Sequence, residues 1–272
     1  MEADGMIKSK FIFYSRIYLK ILTQDLKSKM SYRADFIISL LGMIFMNLSG
    51  LIVFWIMFQN FDNINGWTFY EILFLYGFSL MALTPMQCFF DNNWNLRTYV
   101  YNGDFVKYCF RPMNLYFYYI SEVFDPKGLG EFAMGLGLLI YSWCHIGVPL
   151  SFINIILLII TFISASLIMI SIMNLAASTC FWILNSAYVM VTFFRFTDYA
   201  KYPTSIFNKV FKFIFTFIIP ISFVAYYPSL FFLRSDKIHI LSFFTPVIGV
   251  AFFVLSYKVW MYGATRYSGT GS

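Results

Sequence analysis

Charge is scarce in this sequence: only 12% of residues are Asp, Glu, Lys or Arg, about half the share usual in a soluble domain. Histidine is rarer still. The two present, His145 and His239, fall in separate predicted loops or interfaces, and neither HExxH nor GxSxG occurs. A zinc hydrolase or an acyl-transfer enzyme of those types would need such a set in one place. No GxxxxGK[ST] run is present, so any nucleotide chemistry must reside on another chain. Four cysteines, Cys88, Cys109, Cys144 and Cys180, form no CxxC pair. Their spacing matches no zinc pattern, and they read as reduced packing residues. The acids Asp35, Glu71, Asp91 and Glu131 fall at predicted span ends, as do the basic Arg195 and Lys258. An ion-coupled transporter, which needs ionisable groups within its spans, has little to work with here.

Apolar residues are abundant instead: 60% are hydrophobic, and phenylalanine alone accounts for 35. A soluble fold of 272 residues has no interior large enough for that surface, whereas lipid removes the problem. At about 20 residues per crossing the length allows roughly six spans and short loops. The first long apolar run starts near Ala34 and is too long for the core of a secretion signal, so it is expected to be an uncleaved first span. Met6 is a candidate native start.

Residues 1–33 carry Lys8, Lys10, Arg16, Lys20, Lys27, Lys29 and Arg33. With no nucleic-acid motif after it and hydrophobic spans instead, the run reads as a basic segment beside anionic lipid, not a nucleic-acid arm. Ile7, Phe11, Tyr14, Tyr18 and Ile21 recur at intervals of three and four. That spacing predicts an amphipathic helix lying in the membrane interface. Spans are predicted at about 34–58, 69–90, 129–146, 150–172, 176–196 and 241–262. Trp67 reads as an interfacial anchor, and Pro85 as a kink near the inner end of the second span. Gly128, Gly130, Gly135 and Gly137 lie in or near the third span, where glycine serves close helix packing. Between 146 and 194 there is no charge, and a turn is expected within Ser171 to Cys180. Asn47, Gln87, Asn154, Asn174 and Asn185 read as hydrogen-bonding groups between helices.

The polar connection 91–127 holds Asn102-Gly103-Asp104-Phe105 and Phe110-Arg111-Pro112-Met113-Asn114. Asn-Gly marks a turn, and Asp104 to Phe110 has room for two short helical turns, with Asp104 a candidate N-cap. Phe105, Val106, Tyr108, Cys109 and Phe110 are too apolar for a free linker, so the loop needs a surface to dock on. Arg97, Lys107, Arg111 and Lys127 join the N-terminal charges on one side, while the loops at 59–68 and 147–151 carry none. The N-terminus is therefore expected in the cytoplasm. Residues 211–233, interrupted by Pro220 and Pro228, either re-enter, giving six spans, or cross, giving seven. The charge count is equal both ways, and two interior prolines favour re-entry.

Asn102 through Phe105, Phe110 through Asn114, Tyr199-Ala200-Lys201-Tyr202-Pro203, Phe217 through Pro220, Tyr226-Tyr227-Pro228 and the closing Tyr267 to Ser272 appear in one order along nearly the whole chain. In this the chain resembles the short six-span permeases of type-2 ABC exporters. The resemblance implies an all-α polytopic membrane protein of the bacterial cytoplasmic membrane. That protein has an interfacial helix over 1–33 and a single transmembrane domain over 34–262. A coupling loop at 91–127 precedes the third span, a re-entrant segment at 211–233 precedes the last, and a cytoplasmic tail covers 263–272. It implies two permeases, identical or paralogous, with separate ATPase subunits that hold the ATP and magnesium. Gly103, Asp104, Phe105 and Arg111 then become candidates for the ATPase contact, with a lipid anchor the plainer role for Arg111. An amphipathic, lipid-like or drug-like cargo is expected. A passive channel or a membrane scaffold without an ATPase is the alternative.

Overall fold

A computed structural model describes residues 2–31, 33–183, 186–234 and 239–267. The described residues are almost wholly helical. We number the helices α1 (Glu2–Ser31), α2 (Arg33–Asn60), α3 (Phe69–Phe89), α4 (Leu96–Asn102), α5 (Val106–Cys109), α6 (Leu115–Ser121), α7 (Gly128–Ile146), α8 (Phe152–Ser178), α9 (Ala187–Thr197), α10 (Lys209–Phe213), α11 (Tyr226–Leu233) and α12 (Thr245–Thr265). Five of them, α2, α3, α7, α8 and α12, are long and apolar enough to cross a membrane.

α3 is the central post. It starts at a capping box in which Glu71 accepts the Thr68 N–H at 2.9 Å, and it continues through Pro85 to Phe89. In its most apolar window 83% is buried inside the protein, against 6% for α2. α2 therefore presents nearly all its surface to lipid or to another chain. α3 meets α7 backbone to backbone: a Cβ at Gly77 would lie 2.7 Å from the Gly135 carbonyl oxygen, and one at Gly135 equally close to that of Gly77. Small residues permit this approach where no hydrophobic force between helices exists. Of the other glycines in this span, Gly128 and Gly130 also face neighbours, whereas Gly137 faces open space. α12 lies on α8 in the same way, with Gly249 against the Ser164 backbone.

The turn expected within Ser171 to Cys180 is absent, because α8 runs unbroken to Ser178. Ser171 and Ser178 bond back to carbonyls of their own helix, and Asn174 turns sideways to Asn93 and Tyr116. Helical polar residues satisfied in this way do not break a helix. The fifth span expected at 176–196 is not one helix, since α8 takes up its first residues and the rest is divided. After α8 come α9 and two tight 3₁₀ turns, Asp198–Lys201 and Thr204–Ile206. Phe194 packs on Trp94 at one face. At the other, the Ser205 carbonyl accepts from Asn65 at 2.9 Å.

The 209–233 stretch is two pieces bent by 73°. Ile214–Ile218 forms a wide π turn, and Pro220, without an N–H to donate, ends it. The stretch begins beside Ser205, which is tied to Asn65, and ends at Arg234, which donates to the Gly66 carbonyl at 3.1 Å. Both ends thus sit against the same short loop, so the segment re-enters and does not cross. Pro228 is a correction: it lies in the first turn of α11, where a missing N–H costs nothing, and starts a helix instead of breaking one. Trp67 is a second correction. It is 4% exposed, its indole donates to Ser205 Oγ at 2.9 Å, and Arg234 stacks on its ring. It locks the loop to the re-entrant segment and does not float at the interface.

Among the described residues five helices thus qualify as spans, and the two described ends, α1 and Tyr267, both pack against the 91–127 segment. Tyr14 of α1 packs edge-on against Phe117 at 4.8 Å, and Asp25 accepts the Phe124 N–H. At the other end, the Tyr267 hydroxyl donates to the Val100 carbonyl. Of the expected apolar face of the first helix, Tyr14 and Tyr18 do line the groove against Phe117. The side chains of Ile7 and Phe11 lie outside the described residues.

Candidate functional site

The 91–127 segment is an ordered helical platform. After a 3₁₀ turn at Asp91–Trp94 come α4, α5 and α6. Gly103 closes α4 with φ of 82°, the left-handed conformation that glycine adopts without a Cβ penalty. That reversal delivers Phe105 inward. Its ring is 0% exposed and meets Phe181, Trp260 and Tyr267 at 5.3, 6.0 and 5.2 Å. Asn92 donates to the Tyr119 carbonyl at 2.6 Å, and Asn93 to Asn174 Oδ1 at 2.7 Å. Lys107 pairs with Glu122 at 3.0 Å, and Tyr108 donates to the same carboxylate. Burial and this carboxylate push the Tyr108 hydroxyl far above its usual range. The platform is thereby fixed to α8 through Asn174 and to α12 through Trp260.

Of the four residues expected to meet another chain, Asp104 and Arg111 are exposed, Gly103 is half-buried and Phe105 is buried. The Phe105 side chain therefore anchors the platform and cannot itself touch a partner. Asp104 does not cap α5 through its side chain; the bond from this position is from Lys107 N–H to the Asp104 carbonyl. Arg111 lies over the Tyr118 ring at 5.6 Å. Phe110, beside it, is 81% exposed, the most exposed ring of the segment. Cys109 is exposed too, as is Cys144, so the packing reading holds only for the buried Cys88 and Cys180; all four are free thiols.

Asp91, where α3 ends, faces Asp125 and Asp25 as well as Lys29 and Lys127. Burial, then Asp125, raises its carboxyl to about 6.

A second feature lies deeper. A cleft of about 640 Å³ runs between α2, α3 and the 194–202 stretch. Glu131, from the first turn of α7, is 6% exposed and lines it; its Oε2 has no hydrogen-bond partner. The Gln87 and Asn47 amides stand beside this carboxylate. Lys201, which also lines the cleft, is held by Asp198 at 2.8 Å. The Tyr76 hydroxyl donates to the Asn47 carbonyl at 3.0 Å. Glu131 and Arg195, which sequence places at separate span ends, both line this cavity. Asn47 and Gln87 were the available signal, since polar side chains in apolar helices must find partners. Among the described residues no group of three or more His, Cys, Asp or Glu side chains is placed to hold a metal ion.

A family model described as "ABC-2 family transporter protein" matches residues 41–271. No curated protein and no solved structure matches the chain.

Proposed function

The chain belongs to the ABC-2 family of transporter proteins, and from that premise we propose that it is the permease subunit of an ATP-driven exporter. In this reading it pairs with a second permease and two separate ATPase subunits, which hold the ATP and magnesium. The observation that carries the reading is the platform: it is bolted to α8 and α12 by Asn174 and Trp260, yet presents Asp104, Phe110 and Arg111 outward. A rigid lever between two crossing helices suits the transmission of a push.

The platform face is the cytoplasmic one in this account. Lys27, Lys29, Arg97, Lys107, Arg111 and Lys127 all belong to α1 or to the platform on that face, in keeping with the excess of basic residues in cytoplasmic loops. ATP binding draws the two ATPases together. The platform moves, and α3 and α7, which flank it, move with it. The exposed flank of α2, where Phe45, Ile52 and Trp55 are each more than half exposed, is offered to lipid and to the second permease. The cargo crosses between the two permeases.

Purification of the tagged chain from its own host in mild detergent tests this reading. An ATP-hydrolysing subunit is expected to co-purify. The chain alone, with no ATPase retained, would favour a passive channel or scaffold.

A further inference from the structure

We propose that the intramembrane cleft between α2, α3 and the 194–202 stretch binds an amphiphile bearing a protonated primary amine, with the amine on Glu131. This names the cargo class of the permease reading and rests on that reading for the word cargo; the binding itself does not.

Glu131 is more than nine-tenths buried and lines a cavity, yet one of its carboxylate oxygens has no partner. Buried acceptors and buried charges are almost always matched. The neighbouring groups do not complete the match. Gln87 and Asn47 hydrogen-bond toward the carboxylate, yet Glu131 Oε2 and Gln87 Oε1 are each buried without a partner. Lys201 acts on Glu131 but is held by Asp198 at 2.8 Å, and Arg195 also lines the cleft. Two buried acceptor oxygens without partners, on residues that line one cleft, call for a donor with several N–H groups, which a primary ammonium supplies.

The remainder of the cleft suits a chain. Met43, Met46, Phe54, Leu80 and Leu83 form its apolar walls, and methionine adapts to varied shapes. Met46, which is 70% exposed, lines the cleft from α2, the span with the least buried surface. An amphiphile can therefore enter sideways, head first. The amine has two sources, a bilayer lipid with an ethanolamine headgroup or a free amine amphiphile.

The test uses the purified full chain in non-ionic detergent, titrated with dodecylamine or dodecanol and read by native mass spectrometry. The wild type is expected to bind the amine at least tenfold more tightly than the alcohol. Glu131→Gln removes that preference and leaves dodecanol binding unchanged. Met46→Trp, at an exposed position, narrows the mouth and weakens both, which keeps the test decisive if Glu131→Gln fails to fold. Retention of phosphatidylethanolamine over phosphatidylcholine and phosphatidylglycerol, lost in Glu131→Gln, assigns the lipid source. A preference for dodecylamine without that retention assigns the free amine. Equal binding of amine and alcohol, a preference that survives Glu131→Gln, or amine binding untouched by Met46→Trp overturns the proposal. None of these outcomes requires an ATPase, so the proposal and the exporter reading fail separately.

Discussion

Arg234 and Glu71 form an ion pair that fastens the end of the re-entrant segment to the first turn of the central helix, with Nη2 3.2 Å from Oε2. The same carboxylate caps the helix through Thr68, and the same guanidinium covers Trp67. One contact therefore fixes the loop, the helix start and the re-entrant segment together.

Arg234→Ala should loosen all three. Breaking a fully buried pair costs about 3–5 kcal/mol. Here the arginine side chain is 35% exposed, so about 1–3 kcal/mol is expected after screening. Thermal unfolding in detergent should shift down by several degrees, and Arg234→Lys should recover only part of it because the two-pronged contact is lost.

Gly77 and Gly135 set the spacing of α3 and α7. Alanine at either position places a methyl group 2.7 Å from the opposing carbonyl oxygen. Either substitution should destabilise by about 1–3 kcal/mol. Gly137→Ala, with open space around it, serves as the control and should leave the melting temperature unchanged.

Phe105 and Phe110 should behave oppositely. Phe105→Ala removes a buried ring from the platform core and should cost about 3–5 kcal/mol, seen as rapid proteolytic cleavage within 91–127. Phe110→Ser should leave stability and protease resistance unchanged, because that ring is 81% exposed. Its effect should appear only in the capture of an ATPase.

Asp91 gives the fold a pH dependence of known sign. Its carboxyl is raised to about 6 from 3.8 by burial and then by Asp125, against the pull of Lys29 and Lys127. Between these two values the folded chain holds more protons than the unfolded one, so this group makes stability fall as pH rises from about 4 to 6. Above 6 the whole penalty is present. Asp91→Asn should abolish this contribution, and the variant should melt higher than wild type at pH 7.5 but not at pH 4. Melting curves at the two pH values check it.

The membrane class, the long helices and the re-entrant segment were legible because they depend on composition and length. Charge-free apolar runs admit few alternatives once lipid is the solvent, and Pro220 removes a backbone donor from the 209–233 stretch. The length of α8 was not legible. Ser171, Asn174 and Ser178 look like turn formers by type, and only a neighbour such as Tyr116 shows that they are satisfied within a helix. Phe105 and Phe110 are identical in type and five residues apart, yet one is buried and the other bare. The Asn102-Gly103 turn was legible, but which of the two rings it delivers inward was not. The cleft escaped for a different reason. Glu131 and Lys201 are 70 positions apart in the sequence, and each alone resembles a charge at a helix end.

The measurement that tests the account most directly is ATPase capture by the chain carrying both Asp104→Ala and Arg111→Ala, beside wild type, with melting temperature measured on each. Both side chains are exposed, so the fold should be unchanged while the co-purified ATP hydrolysis falls at least tenfold. Undiminished ATPase capture by a well-folded double variant would contradict the assignment of this platform as the coupling surface.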